Sequence, residues 1–194
     1  YSSAASDVYK RQSLNAPPNS PGRRLSLSSS SLRSRFGAFG SAIHAAAAKD
    51  VEGNVQKLRR NGAPAVPLHT LIRDEVALNN ATHPDSTAQA FVWLKRILNF
   101  MSHFFDTLDR RPDLELNGCL TRAYEKHLGP YHNVVFRQLA VVLMQVIPDR
   151  AAMLELFGVA TFAELRPHLA AWTHETYPLI AKIDAFYVAN RLQP

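Results

Sequence analysis

From Phe36 onward apolar residues recur at three- and four-residue intervals, the period of a helix that buries one face. The stops are as legible as the runs. A first helix over residues 40–60 carries the alanine run and ends at Asn61-Gly62, a usual helix C-terminus. Pro64 and Pro67 separate it from a second helix over 68–80. His83-Pro84-Asp85-Ser86 reads as a turn, with Asp85 or Ser86 capping a long third helix that reaches about residue 108. Residues 112–117 form a loop, and a fourth helix from about 118 meets a break at Gly129-Pro130. Pro130 then suits the first turn of a further helix to 147. The most apolar run, 134–147, is interrupted by Arg137, Gln138 and Gln145 and reads as a buried core helix. Two shorter helices follow, over 162–173 and 177–191. No β-period segment of useful length and no internal repeat occurs, so the chain reads as all-α.

The 194 residues suffice for one domain, and 46% of them are apolar, enough for a packed or hollowed core. No run of about 18 apolar residues is uninterrupted, so nothing reads as a bilayer span. The net charge of +6 belongs almost wholly to residues 1–36. That stretch holds Lys10, Arg11, Arg23, Arg24, Arg33 and Arg35 against Asp7 alone. It is rich in Ser and Pro, a composition expected to be disordered. Residues 1–12 resemble vector or assembly read-through and are set aside from fold reasoning. The folded domain is therefore expected over 37–194. Because no stacking aromatics accompany the tail arginines, nucleic acid is not an expected partner. The single cysteine, Cys119, has no disulfide partner, and a reducing cytosol is the default compartment.

Candidate chemistry begins on the first helix. Asp50, Asn54 and Lys57 share one face, beside an apolar stripe of Val51, Val55 and Leu58. Such a pair of stripes suits a ligand with a hydroxylated head and a greasy tail. It equally suits the solvated face of an ordinary amphipathic helix. Trp93 lies with Ile97, Phe100 and Phe104 on one face of the third helix, either as core or as a flat plate for the C–H face of a sugar. His132, just after the Gly-Pro break, is either structural or a donor to a buried carbonyl. The remaining histidines lack metal-ligand spacing. No phosphate loop, nucleophile elbow or paired-carboxylate motif is present, so neither a metal nor a cofactor is expected.

Three strings in order, Asp50-Val-Glu-Gly-Asn54-Val-Gln-Lys57-Leu, Trp93-Leu-Lys-Arg96 and Ala123-Tyr-Glu-Lys-His-Leu-Gly-Pro-Tyr-His132, resemble the glycolipid transfer protein family. The resemblance extends from about residue 36 to 192. It implies a two-layer helical sandwich enclosing an apolar lipid pocket, and non-catalytic carriage of a glycosphingolipid between membranes. It further implies that Asp50, Asn54 and Lys57 hold the sugar, that Trp93 stacks on it, and that His132 bonds the ceramide carbonyl. Phe100, Phe104, Leu139, Val142 and Ile147 are the expected pocket lining, inferred from their helical faces. A ceramide-1-phosphate branch of similar fold places lysine at the Asn54 position and arginine at the Trp93 position. This chain keeps Asn54 and Trp93 and so resembles the glycolipid branch, while Lys57 and Arg96 leave an anionic glycolipid such as a sulfatide open.

Three departures qualify the resemblance. The family's helix before the Asp50 helix falls on the low-complexity tail. Val134 stands where the glycolipid branch often has an interfacial tryptophan, and the C-terminus lacks the family's tyrosine-containing tail. Trp172 or the basic tail is left as the candidate for transient membrane contact. The expected molecule is a cytoplasmic monomer, peripheral at membranes. Its competitors are a lipid-sensing or targeting domain of a larger trafficking protein, a ceramide-1-phosphate carrier, and an enzyme using Asp50 and His132 as acid and base.

Overall fold

Helix ends in this chain are set by short-range hydrogen bonds. Ser86 Oγ accepts from Gln89 N at 3.1 Å, while the Glu75 carboxylate accepts from Thr87 N and Ala88 N at 2.6 and 2.9 Å. Those bonds satisfy donors that a helix start leaves orphaned. Asn133, Asp149 and Thr161 cap later helices in the same way. Gly62 closes the first helix at φ 117° and Gly158 closes another at φ 71°, where a side chain would be strained.

The computed structural model describes residues 38–145, 147 and 149–193; the segment expected to be disordered, 1–36, lies outside the described residues. Within them the chain forms seven α-helices and one 3₁₀ turn, without a strand. The helices are α1 Ala38–Arg60, α2 Leu68–Ala77, α3 Thr87–Arg110, α4 Leu116–His127, α5 Val134–Met144, α6 Arg150–Phe157 and α7 Phe162–Ala189, with the 3₁₀ turn at Gly129–Tyr131.

Helix α3 is central: α1, α2, α4 and α7 all pack against it. One apolar cluster joins its second half (Phe104, Phe105, Leu108) to α4, α6 and α7. A second joins Ala88 and Val92 to Ile72 of α2 and to Ile183 and Tyr187 of α7. Polar ties run down the α3–α7 seam. Tyr187 Oη donates to Ala88 O at 2.7 Å, Lys95 pairs with Asp184, Ser102 Oγ meets Thr176 Oγ1 at 2.8 Å, and Arg166 Nε donates to Asp109 at 2.6 Å.

Three expectations need correction. The two short helices expected over 162–173 and 177–191 are one helix, α7, which runs through Pro167 and Pro178. Each interior proline costs about 3 kcal/mol. The continuous buried stripe of Leu165, Leu169, Thr176, Ile180, Ile183 and Tyr187 offsets that cost, at roughly 1.5–3 kcal/mol for each large apolar side chain. Helix α6 was not anticipated, because a two-turn helix gives too few repeats to establish a period. The run 134–147 is not a buried core helix. It ends at Met144, its only buried residue, and Val134, Val135, Phe136, Leu139, Val141 and Val142 are exposed. Apart from Arg137 and Gln138 the helix is apolar, yet it packs by one side on α4.

Candidate functional site

Helix α1 brings its polar stripe up to the start of α3. Asn54 is buried, and its Nδ2 donates to Asp50 O at 2.9 Å, turning the amide back along its own helix. Lys57 Nζ donates to Pro84 O at 2.9 Å and lies 3.5 Å from Asp85. Asn61 Nδ2 donates to Asp85 O at 2.9 Å and to Thr87 Oγ1 at 3.3 Å. These bonds fasten the C-terminal end of α1 to the turn before α3. The Asp50 carboxylate is exposed.

The aromatic half of the site comes from α3 and the 3₁₀ turn. The Trp93 indole stacks on His132, with ring centroids 5.4 Å apart and planes 24° apart. Its edge meets Tyr131 at 6.4 Å. The Arg96 guanidinium lies over the Tyr131 ring, 3.4 Å from its centroid and 5.4 Å from that of Trp93. Behind His132 stands buried Tyr124, whose Oη is 3.0 Å from His132 Nδ1. The turn at Gly129 makes this possible, since a Cβ there would meet Tyr124 Cε1 and Tyr124 O at 3.3 Å each.

Burial pushes the His132 imidazole down from its usual value, and the negative Asp50 pulls it partly back. The Asp50 carboxylate thus acts electrostatically on the His132 imidazole. Burial also raises the Tyr124 phenol, keeping it protonated and able to donate. When Tyr124 donates to Nδ1, the single proton of neutral His132 sits on Nε2, and that edge can donate to a ligand carbonyl. Such an arrangement can bind and orient an amide. It contains no nucleophile activated by a base.

The structure thus sets His132 against Trp93 with Asp50 acting on it electrostatically, while the Asn54 amide turns back to Asp50 O and Lys57 is engaged by the turn before α3. The five expected lining residues are not gathered. Phe104 is in the α3–α4–α7 core cluster, with Phe100 and Ile147 packed against it, whereas Leu139 and Val142 face outward from α5. Trp172 is 39% exposed, its Nε1 donating to Ser102 Oγ at 3.2 Å and its ring edge-on to Phe105. Among the described residues no cluster of three or more His, Cys, Asp or Glu could hold a metal, and no helix is long and apolar enough to cross a membrane. Tyr124 and Tyr131 lay in the third string without an assigned role. The signal that would have found Tyr124 is its placement one helix turn before Gly129-Pro130, which folds the chain back over its ring.

Comparison with known proteins follows the same lines. The family model Glycolipid transfer protein (GLTP) matches residues 23–159. The glycolipid transfer protein of Danio rerio is 28% identical over 130 residues, 61% of this chain and 62% of that protein. The human pleckstrin homology domain-containing family A member 8 is 26% identical over 171 residues, 80% of this chain and 32% of that protein. The chain spans 21%, 32% and 62% of the first curated relatives it matches. Among solved structures, a mutant of Arabidopsis ACD11 complexed with ceramide-1-phosphate superposes with a TM-score of 0.71 at 18% identity, over 97% of this chain and 95% of that one. The structure describing how FAPP2 selects simple glycosphingolipids using the GLTP-fold gives 0.70 at 20% identity, over 84% and 82%. At such identities the likeness carries the fold, an all-α two-layer arrangement.

Proposed function

This chain belongs to the glycolipid transfer protein family, and on that premise we propose that it binds one glycosphingolipid without altering it and carries it between membrane surfaces. The observation that carries the reading is the stack of Trp93 on His132, with Tyr124 behind it and Asp50 within electrostatic reach. Trp93 offers a flat apolar face to a sugar ring. Asp50, Asn54 and Lys57 offer an acceptor, an amide and a cation to its hydroxyls, and His132 Nε2 donates to the amide carbonyl of the ceramide. The exposed Asp50 carboxylate is free to accept from sugar hydroxyls.

Sequestering hydrocarbon yields roughly 0.8 kcal/mol per CH₂, so two acyl chains supply the bulk of the affinity and the polar head site supplies selectivity. The chains lie against α5, which begins two residues after His132 and exposes Leu139 and Val142. A neutral Asn54 and an indole at Trp93 favour a sugar over a phosphate. The protein is read as a cytoplasmic monomer that touches membranes transiently and needs no cofactor.

A second reading, a lipid-sensing or targeting domain within a larger trafficking protein, is favoured by the match to a pleckstrin homology relative of which the chain covers 32%. Vesicle transfer of labelled galactosylceramide beside labelled ceramide-1-phosphate tests both, with Trp93→Ala as control. Movement of the glycolipid, lost in the variant, supports the proposal. Preferential movement of the phosphate lipid overturns the branch, and vesicle binding without transfer favours the sensor.

A further inference from the structure

His103 on α3 and His127, the last residue of α4, make a contact that lipid carriage does not use. His127 Nε2 lies 3.1 Å from His103 Nδ1, and the two half-buried rings meet edge to face with centroids 5.0 Å apart. Two imidazoles share such a bond only while one nitrogen donates and the other accepts. A first proton leaves that division possible. A second turns both nitrogens into donors and sets two cations against one another.

The surroundings resist both protons. Burial pushes each imidazole below its usual value, His127 to about 4, and nearby charge adds to the effect. Lys126 of α4 acts on both rings and Lys95 of α3 acts on His127. Asp106 of α3 draws a proton toward His103, but its carboxylate is already paired with Arg110 at 2.7 Å. With two lysines close by and, among the described residues, no third ligand to complete a set, the pair suits protons and not a metal ion.

What the pair ties down is the root of the turn that presents His132. Leu128 follows His127 directly. Its N donates to Tyr124 O at 3.0 Å, and its carbonyl accepts from Tyr131 N at 3.0 Å and from His132 N at 3.2 Å. The backbone of the 3₁₀ turn therefore hangs from the residue next to the pair. If His127 leaves α3, the end of α4 loses a side-chain tie and the turn loses a fixed root.

We propose that the His103–His127 pair is a pH-sensitive latch, closed while it holds no more than one proton and opened by the second, which frees the end of α4 and the turn carrying His132 and so weakens the hold on lipid. The effect on lipid rests on the carrier reading, whereas the opening does not. Hydrogen exchange of the backbone amides between Leu128 and His132, corrected for the intrinsic pH dependence of exchange, reads the opening without lipid. The protein, His103→Gln, His127→Gln and the double variant would be compared, with thermal melting at neutral pH as the control for folding. Vesicle transfer of labelled galactosylceramide would be followed over the same pH range.

A histidine held near pKa 4 when closed and returning to 6.5 when open multiplies the open fraction by about eightfold between about pH 7 and about pH 5.5. Relative to the double variant, which carries the contribution of His132 and all other groups, exchange should rise more than tenfold in the protein and less than tenfold in either single variant. Galactosylceramide transfer should fall with pH in the protein and hold in the double variant. Equal pH dependence of exchange in the protein and the double variant overturns the latch. Exchange that differs while transfer falls alike in both overturns its action on lipid. If no lipid moves even at neutral pH, the carrier reading fails and exchange still decides the latch. Should the double variant not fold, the difference between the protein and the single variants decides.

Discussion

Replacing Tyr124 by phenylalanine removes a single oxygen from the interior and tests how His132 is prepared for its ligand. The ring itself would stay. It is 7% exposed, so no cavity larger than a hydroxyl arises. What is lost is the 3.0 Å bond to His132 Nδ1. A net hydrogen bond is worth about 0.5–1.5 kcal/mol, and 1.4 kcal/mol is a factor of ten, so lipid transfer should drop roughly two- to tenfold. The assay pairs vesicle transfer with ¹⁵N NMR of the imidazole. The unmodified protein should show Nε2 protonated and Nδ1 accepting, and the variant should show a mixture of tautomers. Finding Nδ1 protonated in the unmodified protein would refute the reasoning outright. So would a tautomer shift with no change in transfer.

Other perturbations follow from the same geometry. Asp50→Asn removes the negative charge that supports the imidazolium, so NMR titration should find the His132 pKa lower still. His127 is held down to about 4 by burial, with His103, Lys126 and Lys95 adding to it, against 6.5 when unfolded. Between those values the folded state binds fewer protons than the unfolded one, so stability should fall as pH drops from 6.5 toward 4, by about 1 kcal/mol after solvent screening, and His127→Gln should flatten the urea-denaturation profile. Asp184→Ala strands the buried Lys95 ammonium and should cost about 2 kcal/mol in urea denaturation, less than for a fully enclosed pair because Asp184 is partly exposed. Glu75→Ala deletes both acceptors at the start of α3 and should cost about 1–2 kcal/mol.

Much of this molecule is written locally. Ser86, Asn61-Gly62 and Gly129-Pro130 mark element ends, and a chain reader needs only a few residues to see them. Asp50, Asn54 and Lys57 are one face of one helix, and that too is local. The expectation that they share a site with Trp93 and His132 came from resemblance, because helix periodicity says nothing of which faces meet. The continuity of α7 across residues 173–177 was hidden because the buried stripe that holds the helix together depends on α3. The exposure of α5 was illegible for a related reason: an apolar helix states what it avoids, water, and not whether a neighbour is there to cover it. The site's second layer was hidden in the same way. Tyr124 takes its role from its distance to His132.

The polar ties between α3 and α7 fall at Ala88, Lys95, Ser102 and Asp109, seven residues apart each time. Their partners on α7 keep no such interval. A single inserted or deleted residue in α3 would rotate every later tie by about 100°, swinging Asp109 or Lys95 out of reach of its mate. The central helix is therefore closed to length change between Ala88 and Asp109.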